Sequence, residues 1–239
     1  VKAELLSIVP NPVLAVYAHP DDADVACGGT LKKWIDEGSD VHVVICTKGE
    51  KGTKDPDADI KEVAAKRRSE VEEAAAILGF SALHFLNIDD GEIVNDETLR
   101  ADIVEIVRSV KPEVVLAPDP TAVFFSDHYF NHRDHREIGW AVLDAVYPAC
   151  GLPKYYPDRG KAHVVSAVML SGTLAPDVFV DITGTVEKKV TAVLSHKSQI
   201  SGDEESVRDA IEHMAKDAGG KCGKAFAEGF RMVGSLGVF

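Results

Sequence analysis

Short, continuous apolar runs alternate with longer amphipathic stretches through the first half of the chain. Val13 to Ala18 (VLAVYA) is the first run, Val41 to Cys46 (VHVVIC) the second, and Ala82 to Leu86 and Glu113 to Ala117 (EVVLA) follow. Helical patterns fall between them. One lies around Leu31 to Glu37, one runs from Val63 to Leu78 and closes on Gly79, and one runs from Glu97 to Val110 and stops before Pro112. The polar, glycine-containing segment Thr47 to Lys61 reads as a loop. Runs without a polar alternate face suit strands covered on both sides, and strand, helix, strand at this spacing predicts right-handed βαβ units. The expected fold is therefore α/β, a mostly parallel sheet with helices on both faces. Its ligand site should lie at the C-terminal ends of the strands. The second half is less regular: a helix continuing through Ala141 to Tyr147, a strand over Val164 to Leu170, an extended piece over Val178 to Asp181, and a helix over Val186 to Ser195. Ala225 to Phe239 reads as a helix plus a closing strand. No repeat or linker divides the chain, so one domain, 1–239, is expected.

Composition narrows the class of partner. Thirty-nine acidic residues against twenty-six basic ones give a formal charge of −13, which repels phosphate backbones and argues against a nucleic-acid partner. No apolar run approaches the roughly 20 residues that cross a bilayer, so no membrane span is expected. The start, VKAELLSIVP, lacks a basic region followed by a long apolar one and does not read as a signal peptide. Cys27, Cys46, Cys150 and Cys222 are scattered and form no CxxC pair, which points to reduced thiols in a cytoplasmic protein. The sequence also allows a homo-oligomer.

Two clusters carry chemistry. AHPDDADVACGGT, Ala18 to Thr30, follows the first strand directly. His19 and Asp22 are close enough on one turn to bind the same cation, while Asp21 between them is free to take a proton from water. A plainer reading is that Asp22 or Asp24 caps the next helix. NHRDHREIGWAVLDAV, Asn131 to Val146, follows the fourth strand, and its His132 and His135 share a face if a helix begins there. Two histidines and one carboxylate with an open position is the arrangement of hydrolytic zinc. It also serves non-haem iron, and a non-catalytic metal-binding module is a further alternative. Neither GxGxxG nor GxxxxGK[ST] occurs, so nucleotide binding has no support. Arg67 lies on a charged helix and could pair with Glu62 or Glu70 at the surface. His42, His84, His128, His163 and His213 read as structural, as do His196 and Gln199 at lower weight. The aromatic loop FFSDHYF, with Phe124, Phe125, Tyr129 and Phe130, either walls a sugar-sized pocket or packs on the sheet.

Four motifs together resemble one family. AHPDD followed by GGT, RRSEVEEAAAILG at Arg67 to Gly79, HRDH at His132 to His135, and KKVTAVLSHKSQ at Lys188 to Gln199 are similar to the LmbE/PIG-L family of N-acetylglucosamine deacetylases. The matches run from about residue 12 to residue 233. The resemblance implies a Rossmann-like fold, a single Zn2+ and a small N-acylated amino-sugar substrate. By motif position it implies His19, Asp22 and His135 as metal ligands and Asp21 as general base. It further implies His132 as oxyanion stabiliser with Asp134 orienting it, and Arg67 as a contact to substrate hydroxyls. Two departures bear on substrate preference: Ala23 stands where many members have Glu, and Arg133 where many have Pro.

Overall fold

A computed structural model describes residues 4–125, 127 and 129–234. In chain order the elements are β1 (Glu4–Leu5), β2 (Val13–Tyr17), α1 (Asp22–Asp36), β3 (Val41–Thr47), α2 (Ile60–Leu78), β4 (Ala82–Ile88), α3 (Glu97–Val110) and β5 (Val114–Pro118). A small hairpin of β6 (Phe124–Phe125) and β7 (Tyr129–Phe130) precedes α4 (Arg133–Asp144), which runs into a π-helical turn, Ala145–Cys150. The chain ends with β8 (Ala167–Ser171), β9 (Val178–Asp181), α5 (Val186–Ser195), α6 (Glu204–Cys222) and β10 (Ala227–Gly234).

One eight-stranded sheet has the order β1-β9-β10-β8-β5-β2-β3-β4. Its β8-β5-β2-β3-β4 portion is parallel throughout, and β10 runs antiparallel to both β8 and β9. Strand β2 shows why its sequence is apolar at every position. Val13, Ala15 and Tyr17 point to one core, shared with Leu31 and Trp34 of α1. Leu14 and Val16 point to the other, shared with Ile103 and Val107 of α3 and Ile138 and Val142 of α4. The sheet is thus covered on both faces, as the pattern predicts.

Helix ends follow local chemistry. Asp59 accepts from the Lys61 N–H at the start of α2, and Gly79 closes that helix in the left-handed region, φ 89°. Two elements depart from the expectation. Helix α1 begins at Asp22, well before Leu31, and runs through Gly28 and Gly29. A side chain at Gly29 would put its Cβ 2.8 Å from Ile182, so the glycine is required by close packing and does not end the helix. The last helix, α6, lies before Ala225, and only the closing strand falls after it. Only Ile211, Ala215 and Gly219 of α6 are buried, a stripe too thin to register as amphipathic beside the Gly219–Gly220 pair. Among the described residues, no helix is long and apolar enough to cross a membrane.

Candidate metal centre and active site

The chain leaves β2 and turns through His19 to Asp22 into α1. The capping alternative fails here: Asp21 occupies the N-cap position without a side-chain cap bond, and Asp24 is buried against His196, 2.7 Å away. Asp22 folds back, its Oδ2 accepting from the His19 backbone N–H at 2.8 Å. This brings the His19 ring to 3.3 Å from the same carboxylate. Helix α4 delivers the third group, with His135 Nε2 at 3.1 Å from His19 Nδ1 and at 3.1 Å from Asp22 Oδ1.

The surroundings fix which ring nitrogens carry protons. His19 Nε2 lies 3.1 Å from Asp90 Oδ1, and a carboxylate only accepts, so that nitrogen holds the hydrogen. His135 Nδ1 lies 3.1 Å from Asn131 Oδ1, and Asn131 is oriented by its own Nδ2 donating to Ala122 O at 3.0 Å. Both outer partners therefore leave the facing atoms, His19 Nδ1 and His135 Nε2, as lone pairs beside the Asp22 oxygens. Converging acceptors need a cation between them. Tetrahedral zinc, with ligands at about 2.0–2.1 Å, sets its donor atoms roughly 3.3 Å apart, so the donor set fits such an ion. The same carboxylates favour positive charge at this spot: burial opposes charge on His19, but Asp22, then Asp134 and Asp90, push its value up to about 12. Burial likewise opposes charge on Asp22, yet His135 and His19 hold its carboxyl well below the usual range.

A second grouping, His19, His132 and Asp134, is also close enough to share an ion. It is the poorer site, because Asp134 is occupied: its Oδ2 accepts from Gly91 N–H at 2.7 Å and its Oδ1 from Ile93 N–H at 3.3 Å.

The remaining predicted residues surround the triad. Asp21 stands beside it with one oxygen held by the Arg67 guanidinium at 2.7 Å. Arg67 is neither a surface residue paired with Glu62 or Glu70 nor open to a substrate. It is 3% exposed, and its other terminal nitrogen donates to Gly49 O at 2.8 Å. The loop that holds it must be glycine-rich, since a Cβ at Gly49 or Gly52 would lie 2.4 or 2.6 Å from the guanidinium. The late motif completes this shell. Glu70 accepts from both the N–H and the hydroxyl of Ser198, and Gln199 donates to Gly52 O at 3.0 Å.

His132 caps α4, its Nδ1 accepting from the Asp134 backbone N–H at 3.2 Å. Burial and the positive charge at His19 keep it below the usual histidine value against the opposing pull of Asp134. Asp134 meets His132 through its backbone N–H, while its carboxylate accepts from Gly91 and Ile93. Phe125 and Tyr129 line a cavity beside the triad, whereas Phe124 and Phe130 are exposed. His128 lies outside the described residues. His42 and His84 stack on each other, His163 bonds Pro112 O, and His213 pairs with Asp217.

Sequence reasoning overlooked Asp90 and Asn131. Asp90 had a signal, since LNIDDG leaves β4 at the same end of the sheet. Asn131 sits one turn before His135, where a ring-orienting partner belongs.

Comparison with known proteins places this arrangement. The PIG-L family profile, described as GlcNAc-PI de-N-acetylase, matches residues 14–146. Diacetylchitobiose deacetylase of Thermococcus kodakarensis is 36% identical over 226 residues, covering 92% of this chain and 82% of its own. The 1D-myo-inositol 2-acetamido-2-deoxy-alpha-D-glucopyranoside deacetylase of Rhodococcus erythropolis is 29% identical over 239 residues, covering 79% of this chain and 81% of its own. Among solved structures, N,N'-diacetylchitobiose deacetylase from Pyrococcus horikoshii superposes with a TM-score of 0.87 at 33% identity, over 95% of this chain and 85% of that one. A profile spanning more than half of the chain and a relative this similar over nearly all of it show that the chain belongs to the PIG-L (LmbE) family.

Proposed function

We propose that this protein is a zinc-dependent amide hydrolase that removes the acyl group from the nitrogen of an N-acetylglucosamine-type sugar. The observation that carries the reading is the convergence of His19 Nδ1, His135 Nε2 and the Asp22 carboxylate, with Asp21 outside that set and still part-exposed. His19, Asp22 and His135 would hold the ion. When bound, zinc supplies a Lewis acid that acidifies water and polarises the amide carbonyl. Asp21 takes the proton of the attacking water and returns it to the departing amine. Arg67 keeps the Asp21 carboxylate aimed while its guanidinium stays out of the substrate's way. His132, with Nδ1 occupied as an acceptor, offers Nε2–H to the carbonyl oxygen as negative charge develops there. Relatives named for diacetylchitobiose and for a GlcNAc-inositol support an amino-sugar substrate. The four unpaired cysteines support a reducing, cytoplasmic setting.

The test is turnover on a panel of N-acetylated sugars, read as free amine. Release should disappear with chelator and return with zinc, and metal analysis of the purified protein separates zinc from iron. Amine release untouched by chelation would overturn the metal-dependent reading.

A further inference from the structure

A cavity of about 390 Å³ opens against the triad, with Asp22 and His135 in its wall. Its lining is largely apolar and includes Val25, Ala26, Pro118, Met214 and Ala218. Away from the triad, the buried polar groups in the wall already have partners: Tyr17 OH and Ser171 Oγ lie 2.8 Å apart, Lys189 pairs with Glu228, and Asn131 Nδ2 donates to Ala122 O. Among the described residues, Asp21, Arg67, Asp90 and His132 do not line it.

Topology explains the division. Strands β5 and β8 lie to one side of β2, and β3 and β4 lie to the other. Pro118 and Ser171 end the first pair and shape the cavity, while Gly49 and Asp90 follow the second pair and build the polar side. Val25 and Ala26 stand one turn beyond Asp22 on α1, on the same helix face, so the apolar wall begins at a metal donor. The triad sits on the boundary.

An amide carbonyl held at that boundary sends its two substituents apart, nitrogen and sugar one way and the acyl chain the other. Sugar hydroxyls find partners on the polar side and would lose them in the cavity, whereas methylenes gain only in the cavity. An acetyl group carries one carbon beyond its carbonyl, but 390 Å³ is room for roughly a dozen waters at about 30 Å³ each. We propose that this cavity receives the acyl chain and that the enzyme cleaves linear N-acyl groups well beyond acetyl, to about six carbons. The proposal rests on the hydrolase reading above. The chemistry is unchanged: the C–N bond breaks, water supplies the new C–O bond, the amine leaves with a proton, and the carboxylate leaves with the longer chain.

The test compares kcat/KM of the zinc-loaded protein for N-acetyl-, N-butyryl- and N-hexanoylglucosamine, read as amine release. The hexanoyl compound should match or exceed the acetyl one, with a gain of up to about fourfold per methylene buried. Ala218→Phe, and more mildly Ala218→Leu, should lower the hexanoyl-to-acetyl ratio, the Phe variant by about tenfold or more. Hexanoate should bind the same protein more tightly than acetate by titration calorimetry, and Ala218→Phe should abolish the difference. Hexanoyl cleavage more than about tenfold slower than acetyl, or a ratio indifferent to Ala218→Phe, would overturn the cavity assignment and leave the hydrolase reading standing. No amine from any of the three compounds would overturn the hydrolase reading. Equal binding of hexanoate and acetate would then remove the cavity assignment with it.

Discussion

Replacing Arg67 by lysine separates two roles that the same residue could play. In the structure its two terminal nitrogens serve two acceptors, Asp21 Oδ1 at 2.7 Å and Gly49 O at 2.8 Å. An ammonium keeps the charge but cannot span both positions with the planar geometry of a guanidinium. A hydrogen bond to a charged group is worth about 1.5–3 kcal/mol net. The Arg67 side chain is 4% exposed and that of Asp21 27% exposed, so solvent replaces little of the loss on the arginine side and some of it on the Asp21 side. If the lost bond is expressed in aiming Asp21 during proton transfer, kcat should fall roughly 10- to 150-fold. Since the guanidinium does not face the substrate, KM should move by no more than about twofold. Thermal unfolding should register the same bond as a drop of roughly 3–12 °C for a chain of this size. Steady-state kinetics on N-acetylglucosamine conjugates, normalised to folded and metal-loaded protein, supply the split. A tenfold rise in KM with kcat intact would return Arg67 to the substrate-hydroxyl role and refute the positioning argument.

Three further outcomes follow from the same geometry. Asp21→Asn should cut turnover by about 10²–10⁴ because an amide cannot accept the water's proton, while metal content stays at the wild-type level since Asp21 is outside the donor set. Near-normal activity would remove Asp21 as the base. Arg108→Ala should cost about 3–5 kcal/mol, seen as a fall of roughly 6–20 °C in Tm, because its buried guanidinium serves the carbonyls of Ala149, Cys150, Leu152, Tyr155, Tyr156 and Gly160. A shift within error would show that this loop is not held by Arg108. Burial opposes charge on His196, but its bond to Asp24 outweighs that and raises its value. The stabilisation linked to His196 is therefore complete below about pH 6.5, the unfolded value, and is lost as pH rises through the raised one, while Asp24, whose own value burial raises, works against it wherever that carboxylate is ionised. His196→Gln should flatten that slope in denaturant unfolding measured across neutral pH, and an unchanged slope would reject the pair as its source.

Why some of this was legible in the sequence and some was not is a matter of periodicity and direction. The parallel core strands announce themselves because both faces of β2 and β5 are buried, leaving no polar position to blur the run. The proposed metal donors were legible for a related reason: His19 and Asp22 leave the end of one such strand, and His135 lies in the first turn of a helix that comes after another, so topology alone brings them to one edge. Helix α6 was not legible, because its buried stripe has only three residues, the last of them Gly219 beside Gly220. Nor was the inward turn of Arg67. The segment KEVAAKRRSEVEEAAA carries charge on every side, and nothing in it distinguishes Arg67 from Arg68. Yet Arg68 lies exposed over the Phe85 ring while Arg67 is enclosed by a loop eighteen positions upstream.

Direction also decides how the two histidines of HRDH divide their work. Spacing alone makes them equivalent, three apart at a helix start. What separates them is the helix boundary: His132 is the capping residue and spends Nδ1 on the Asp134 N–H, whereas His135 is one turn in and has its Nδ1 taken by Asn131. Both rings are thus pinned through the same atom, but to opposite effect. An N–H donor at Nδ1 makes His132 present Nε2–H outward, a hydrogen-bond donor for developing negative charge. A carbonyl acceptor at Nδ1 makes His135 present a bare Nε2, a ligand for a cation. The proposed division between oxyanion donor and metal ligand therefore follows from where α4 begins.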